Sequence, residues 1–154
     1  MREFHLHTEQ TLNAPLSRVF DFFSNAENLQ AITPPFLKFK ITSPTPIPMR
    51  AGAEIDYALS LHGLRFNWRS GITAWEPGVR FVDEQVKGPY RRWVHEHRFA
   101  PDPADPARTI VTDHVRYAVP GWFLQSPIHT LLVRPRLDRI FAYRAEATRR
   151  LIEH

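Results

Sequence analysis

Cysteine is absent from the 154-residue chain. That excludes disulfides, zinc–thiolate centres and a thiol nucleophile. Glycine is scarce, at six residues, and neither a Gly-rich phosphate loop nor a dinucleotide fingerprint occurs. Gly-x-Ser-x-Gly and His-Glu-x-x-His are missing as well, so nothing signals a serine hydrolase or a zinc peptidase. No run approaches the ~20 apolar residues of a membrane-spanning helix, so no integral membrane association is expected. The opening Met1-Arg2-Glu3-Phe4-His5 has no apolar signal core, and the expected location is cytoplasmic. Lysine occurs only at Lys38, Lys40 and Lys87, so arginine supplies nearly all of the 20 basic residues. The arginines are scattered from Arg2 to Arg150 rather than gathered in a stripe. The net charge of +4 and pI of about 9.8 therefore speak of solubility, and no nucleic-acid partner is expected.

What the chain does have is a globular balance, 43% hydrophobic and 23% charged, in a length that suits one domain over residues 1–154. Aromatics reach 12%, with 11 Phe, 4 Trp and 4 Tyr, bulk that can fill a core or line a cavity. Fourteen prolines cluster at Pro34-Pro35, at Pro44, Pro46 and Pro48, and at Pro101, Pro103 and Pro106, marking turns between elements.

Residues 3–12 alternate as a strand. Asn13-Ala14-Pro15 opens a helix carrying Leu16, Val19, Phe20 and Phe23 at helical spacing. A short second helix is predicted over Ala26 to Ala31. Period-two patterning then predicts strands at 36–43, 53–61, 64–75, 79–86, 91–99 and 109–118. Turns fall at His62-Gly63, Pro77-Gly78 and Gly88-Pro89-Tyr90, so the strands form an antiparallel meander. At the C-terminus Leu137, Ile140, Phe141, Ala145, Thr148 and Ile152 share one helix face, with Pro135 at the opening. A shorter helical piece is expected near His129 to Val133. This order predicts an α+β fold: a curved antiparallel sheet of seven strands wrapped around one long C-terminal helix, with two short helices after the first strand. The space between sheet and helix suits an apolar ligand.

Several stretches resemble the START/Bet v 1-like superfamily of helix-grip domains, also called SRPBCC and including polyketide cyclases and dehydrases. The carriers are Ala14-Pro15-Leu16-Ser17-Arg18-Val19-Phe20-Asp21-Phe22-Phe23 and Asn28-Leu29-Gln30-Ala31-Ile32-Thr33-Pro34-Pro35. Trp75-Glu76-Pro77, Phe81-Val82-Asp83-Glu84-Gln85, Gly88-Pro89-Tyr90, Trp93-Val94-His95-Glu96-His97-Arg98-Phe99 and Thr109 to Tyr117 complete them. The Asp-Glu-Gln, Gly-Pro-Tyr and Trp-x-His-x-His-x-Phe block is similar to a bacterial branch of uncharacterised single-domain members. A similar domain also occurs fused to nucleotide-sugar-epimerase-like domains. The resemblance implies a helix-grip fold and a hydrophobic small-molecule partner, and leaves room for an epimerase-like or redox enzyme as protein partner. The oligomeric state is not implied.

Strand parity gives the sharpest reading of individual residues. Trp93, His95, His97 and Phe99 share one face of 91–99, and Val111, Asp113, Val115 and Tyr117 one face of 109–118. With Phe81, Asp83 and Gln85 taken as the inner set of 79–86, a three-residue loop at 88–90 sets Gln85 opposite Trp93, Asp83 opposite His95 and Phe81 opposite His97. Two carboxylates and two imidazoles then meet on a concave aromatic surface. Buried groups of this kind must pair, which lowers an Asp pKa and raises a His pKa. They serve a register-fixing network, the recognition of a ligand's polar end, or acid–base catalysis by His95 or His97.

The expected ligand-binding set is Tyr57, Trp68, Asp83, Gln85, Trp93, His95, His97, Asp113, Tyr117 and Phe141. Phe66, Trp75 and Trp122 are further possible wall residues, though plain core is the simpler role for such aromatics. His95-x-His97 with Asp113 could chelate a metal, but carboxylate–imidazole pairing explains the same residues. His5-x-His7 with His114 on the outer face reads as a surface histidine patch. No metal and no cofactor is therefore expected. The leading reading is a non-catalytic binding domain, which needs an apolar cavity of ~300 Å³ or more. A cyclase- or dehydratase-like enzyme is the runner-up.

Overall fold

The computed structural model describes residues 2–61, 63–121 and 125–153. Its strands are β1 (Phe4–Leu12), β2 (Lys40–Ile41), β3 (Glu54–Leu61), β4 (Leu64–Glu76), β5 (Arg80–Lys87), β6 (Arg92–Asp102) and β7 (Asp105–Ala118). They form one antiparallel sheet in the order β1-β7-β6-β5-β4-β3-β2. Helices α1 (Leu16–Ser24) and α2 (Asn28–Ala31) follow β1. A short α3 (Gln125–Ile128), a π turn (His129–Val133) and α4 (Arg134–Ile152) run on without a break at the C-terminus. The architecture is the α+β helix-grip arrangement that the pattern predicts. No helix among the described residues is long and apolar enough to cross a membrane.

The short turns hold the meander in register. Leu61 pairs with Leu64 across His62-Gly63, where Gly63 takes φ 80°, a left-handed geometry that L side chains resist. His62 itself lies outside the described residues, as does Trp122. The loop between β5 and β6 spans 88–91, one residue longer than expected. The register is nonetheless the expected one, with Phe81 opposite His97 and Asp83 opposite His95.

Two further boundaries differ. The strand predicted at 36–43 shrinks to β2, because Pro34-Pro35 opens a 3₁₀ turn over Pro35–Leu37 and Lys38 takes φ 48°, which breaks the extended chain. At the other hairpin the turn is only Pro103-Ala104. Pro101 and Pro106 stay within β6 and β7, beyond Arg98, where pairing with β5 ends, and a register shift follows Pro101.

The core lies between the sheet's concave face and the helices. At one end α1 buries Val19 and Phe20 with Leu12, Phe81, Phe99 and Ile152. Phe20 meets Phe81 and Phe99 edge-on at 6.4 and 5.1 Å, the arrangement that aromatic quadrupoles favour. At the other end Leu6, Val115, Tyr117 and Val119 pack with Leu137 and Phe141. The stripe Leu137, Phe141, Thr148 and Ile152 is the buried face of α4. Between the two clusters the side chains do not meet, and a cavity remains.

Candidate active site

The cavity has a volume of about 180 Å³. Aromatic rings supply much of its wall: Tyr57, Trp68, Tyr90 and Trp93 from the sheet and its loops, Phe22 and Phe23 from α1. Trp68 and Trp93 meet edge-on at 5.6 Å and narrow the space. That is less than the ~300 Å³ of an ordinary ligand pocket, yet above the ~150 Å³ that admits a benzene-sized molecule. From α4, Leu137, Ile140, Phe141 and Arg144 face in. Arg136 and Arg139 clamp the Phe36 ring at 5.1 and 5.0 Å, tying the 3₁₀ turn to α4.

One polar cluster interrupts the apolar wall. His95 and His97 are each 4% exposed and Asp113 8%. His95 Nε2 donates to Asp113 Oδ1 at 2.7 Å. His97 Nε2 donates to Asp83 Oδ2 at 2.7 Å, and its Nδ1 stands 3.3 Å from Asp113 Oδ1. Thr8 from β1 donates to Asp113 Oδ2 at 3.2 Å. The two imidazoles stack at 3.7 Å, and Phe81 stacks on His97 at 4.2 Å.

The two histidines therefore titrate apart. Burial, and after it the charge of His97, pulls His95 down to about 4, against the pull of Asp113. His95 is neutral near pH 7, with its Nε2 proton on Asp113 and its Nδ1 lone pair unprotonated. Burial also acts to lower His97, but its bonds to Asp113 and Asp83 outweigh that and raise it. For Asp83 and Asp113 burial acts to raise the pKa. The hydrogen bond from His97 overrides it at Asp83, and those from His95 and His97 at Asp113; both carboxyls end lowered, Asp113 well below the usual range. Arg144 Nη2 lies 3.4 Å from His97 Nδ1, and its charge favours both carboxylates. With His97 protonated, two anions face two cations around one neutral imidazole, the kind of balance that lets charge persist in a dry site.

The description "polyketide cyclase / dehydrase and lipid transport" belongs to a family whose pattern matches residues 12–147. The chain belongs to that family. No curated protein sequence matches it. Solved structures share the family's START/Bet v 1-like fold at low identity. A Chromobacterium violaceum protein is 15% identical with a TM-score of 0.71, covering 100% of this chain and 99% of its own. The ZhuI aromatase/cyclase of a Streptomyces species is 17% identical with a TM-score of 0.67, covering 97% and 96%. A START superfamily protein of Mycobacterium smegmatis is 11% identical with a TM-score of 0.66, covering 97% of each chain.

Within this polyketide cyclase / dehydrase and lipid transport domain, Tyr57, Trp68, Asp83, Trp93, His95, His97 and Phe141 all face the cavity. Three of the predicted residues do not. Asp113 sits behind the histidines and holds both. Tyr117 is fully buried in the second core cluster, its hydroxyl 2.6 Å from His129 Nε2. Gln85 closes its own hairpin, its amide donating to the Tyr90 carbonyl at 2.7 Å and accepting from the Tyr90 N–H at 3.1 Å. Trp75 belongs to the first core cluster, and Phe66 is not on the wall.

Two further polar residues line the wall, Arg144 and Ser70, the latter lying two residues after Trp68 on the same strand face, where parity was a usable signal. Ser70 accepts from Trp68 Nε1 at 3.0 Å and pairs with the Tyr57 hydroxyl at 3.2 Å. Burial pushes the Tyr57 phenol upward, so it stays protonated. Arg144 lies three residues after Phe141 and seven after Leu137, inside the helical stripe, so its spacing was a usable signal. Asp83, His95 and His97 also bring ligand atoms within 4.8 Å of one another, a metal-compatible distance, although carboxylate–imidazole bonds engage those atoms.

Proposed function

We propose that the chain is a single START/Bet v 1-like domain that binds a small hydrophobic or amphipathic molecule between the sheet and α4. The observation that carries this reading is an aromatic cavity with one polar cluster at its wall. The apolar walls hold the ligand's body by burial, at ~25 cal/mol per Å² of apolar surface. The polar end meets His95 Nδ1 and the Asp83 carboxylate as acceptors and the Arg144 guanidinium as donor. A hydroxyl or carbonyl on a compact, ring-sized body matches that set. A volume of about 180 Å³ favours one or two rings or a short chain over a long lipid.

Cyclase- or dehydratase-like chemistry is the second reading, favoured by the Asp113–His95 pair, which orients an unprotonated Nδ1 toward Asp83. Against it, a His95 pKa of about 4 makes a weak base, since an efficient base titrates near the working pH. His97 already gives its protons to carboxylates. An accessory role beside an epimerase-like or redox enzyme rests on the sequence resemblance alone.

Native mass spectrometry of freshly purified protein, followed by extraction, tests the binding reading. The expected result is a bound apolar compound carrying an oxygen function. If incubation converts that compound and His95→Gln abolishes the conversion, the enzyme reading replaces the carrier.

A further inference from the structure

The convex face of the sheet, opposite the cavity, carries three imidazoles that the proposed binding function does not use. His5 and His7 are alternate residues of β1, so both point outward. His114 of β7 is the register partner of His7, and cross-strand partners hold their Cβ atoms ~4.5–5.5 Å apart. His5 Nδ1 and His114 Nε2 converge to 2.9 Å, close enough to share one proton. The His7 ring lies 4.0 Å from that of His114. One ring nitrogen from each residue falls within 4.8 Å of the others.

We propose that His5, His7 and His114 form a binding site for a divalent transition-metal ion of the Zn²⁺ or Cu²⁺ class, with solvent completing the coordination. Imidazole nitrogen selects such ions over Mg²⁺ and Ca²⁺, which prefer oxygen. At Zn–N distances of ~2.0–2.1 Å the edge of a tetrahedron is ~3.3 Å. His5 and His114 nearly have that spacing. His7 is exposed and reaches it by rotating off its stack. The ion takes the place of the hydrogen bond between His5 and His114, the bridging proton passing to the other ring nitrogen of its own imidazole, so that both ligands stay neutral.

A second feature fits the same site. His5 Nε2, the nitrogen turned away from the convergence point, lies 3.4 Å from Glu3 Oε1, and Glu3 Oε2 is 3.6 Å from Arg92 Nε. A ligating histidine whose other nitrogen faces a carboxylate is the usual outer arrangement of metal sites. Glu96 opposite His114 and Arg116 opposite His5 border the site, one charge of each sign. The neighbours of His7 and His114 in sequence, Thr8 and Asp113, turn inward to the polar cluster, so the ion would pin the strand pair that carries it.

The test is calorimetric titration of the full chain, without a histidine tag, with ZnCl₂ and separately with MgCl₂, joined to the visible spectrum with Co²⁺. The expected result is one Zn²⁺ per chain, no Mg²⁺ uptake, and a tetrahedral or five-coordinate Co²⁺ band. His114→Gln should weaken Zn²⁺ by more than the ~10–100-fold that loss of an outer partner costs, and Glu3→Gln by ~10-fold. Imidazole ¹⁵N signals of His5, His7 and His114 should be the ones that move. The proposal is overturned by no uptake at millimolar Zn²⁺, by full binding in the His114→Gln protein, or by shifts confined to His95 and His97.

Discussion

Replacing Asp113 by alanine is expected to lower the unfolding free energy by about 3–5 kcal/mol, the effect of removing one partner from a buried charged pair. The carboxylate accepts from His95 at 2.7 Å and from Thr8 at 3.2 Å, and stands 3.3 Å from His97. Without it, His97 keeps a single carboxylate, and the His95 Nε2 proton faces a void. Asp113→Asn, which keeps the shape and one acceptor, should lie between wild type and alanine. Urea denaturation with an unchanged slope measures both. A loss below ~1 kcal/mol for alanine, as at an exposed ion pair, would show that the cluster is open to water.

The second large effect is the acid limb of stability. The unfolded chain protonates His95 near 6.5, whereas burial holds the folded pKa at about 4. Between those values the unfolded state binds a proton that the folded state refuses, so stability falls as the pH drops from 6.5 toward 4. At 1.36 kcal/mol per pKa unit this single group accounts for about 3 kcal/mol. His97 works in the opposite sense. Its raised pKa contributes stability that is fully present below 6.5 and lost as the pH rises through the higher folded value. The lowered Asp83 and Asp113 contribute above 3.8, and that part is lost only as the pH falls through their folded values. His114 and His129 are lowered too but lie near solvent, where such shifts are largely screened. His95→Gln should therefore flatten the profile between pH 4 and 6.5, and His97→Gln the limb above 6.5. Thermal or urea unfolding across that range measures it; an acid limb that persists in His95→Gln would assign it elsewhere.

Parity alone carried much of this site. Trp93-x-His95-x-His97-x-Phe99 repeats every second residue, and once β6 is a strand its inner face follows. Asp83 and Asp113 then come from register, which the four-residue hairpin loop preserved. Parity does not tell a side chain that faces inward from one that reaches a cavity. Gln85 and Tyr117 sit on the inner face, yet one closes a turn and the other is packed beneath the helix. Nor does the inner face hold all the buried groups: Val82 and Val94 lie on the convex face and are 9% and 4% exposed. Arg144 was hidden by its type. A charged residue within an apolar stripe reads as solvated until the carboxylates opposite it are known. The strand predicted at 36–43 failed because the alternation of Leu37, Phe39 and Ile41 with Lys38 and Lys40 says nothing of the left-handed turn at Lys38.

The most direct test of the central claim is calorimetric titration with 2-naphthol, a compact two-ring compound bearing one hydroxyl. Saturable one-to-one binding is expected, with a negative heat-capacity change, as apolar burial requires. Two substitutions, which act on different parts of the site, should each weaken it. Ile140→Trp fills the cavity from α4 without touching the polar cluster and should cost at least tenfold. Arg144→Ala removes the donor and should cost several-fold. Saturable binding that neither substitution alters would place the ligand outside the cavity and contradict the account.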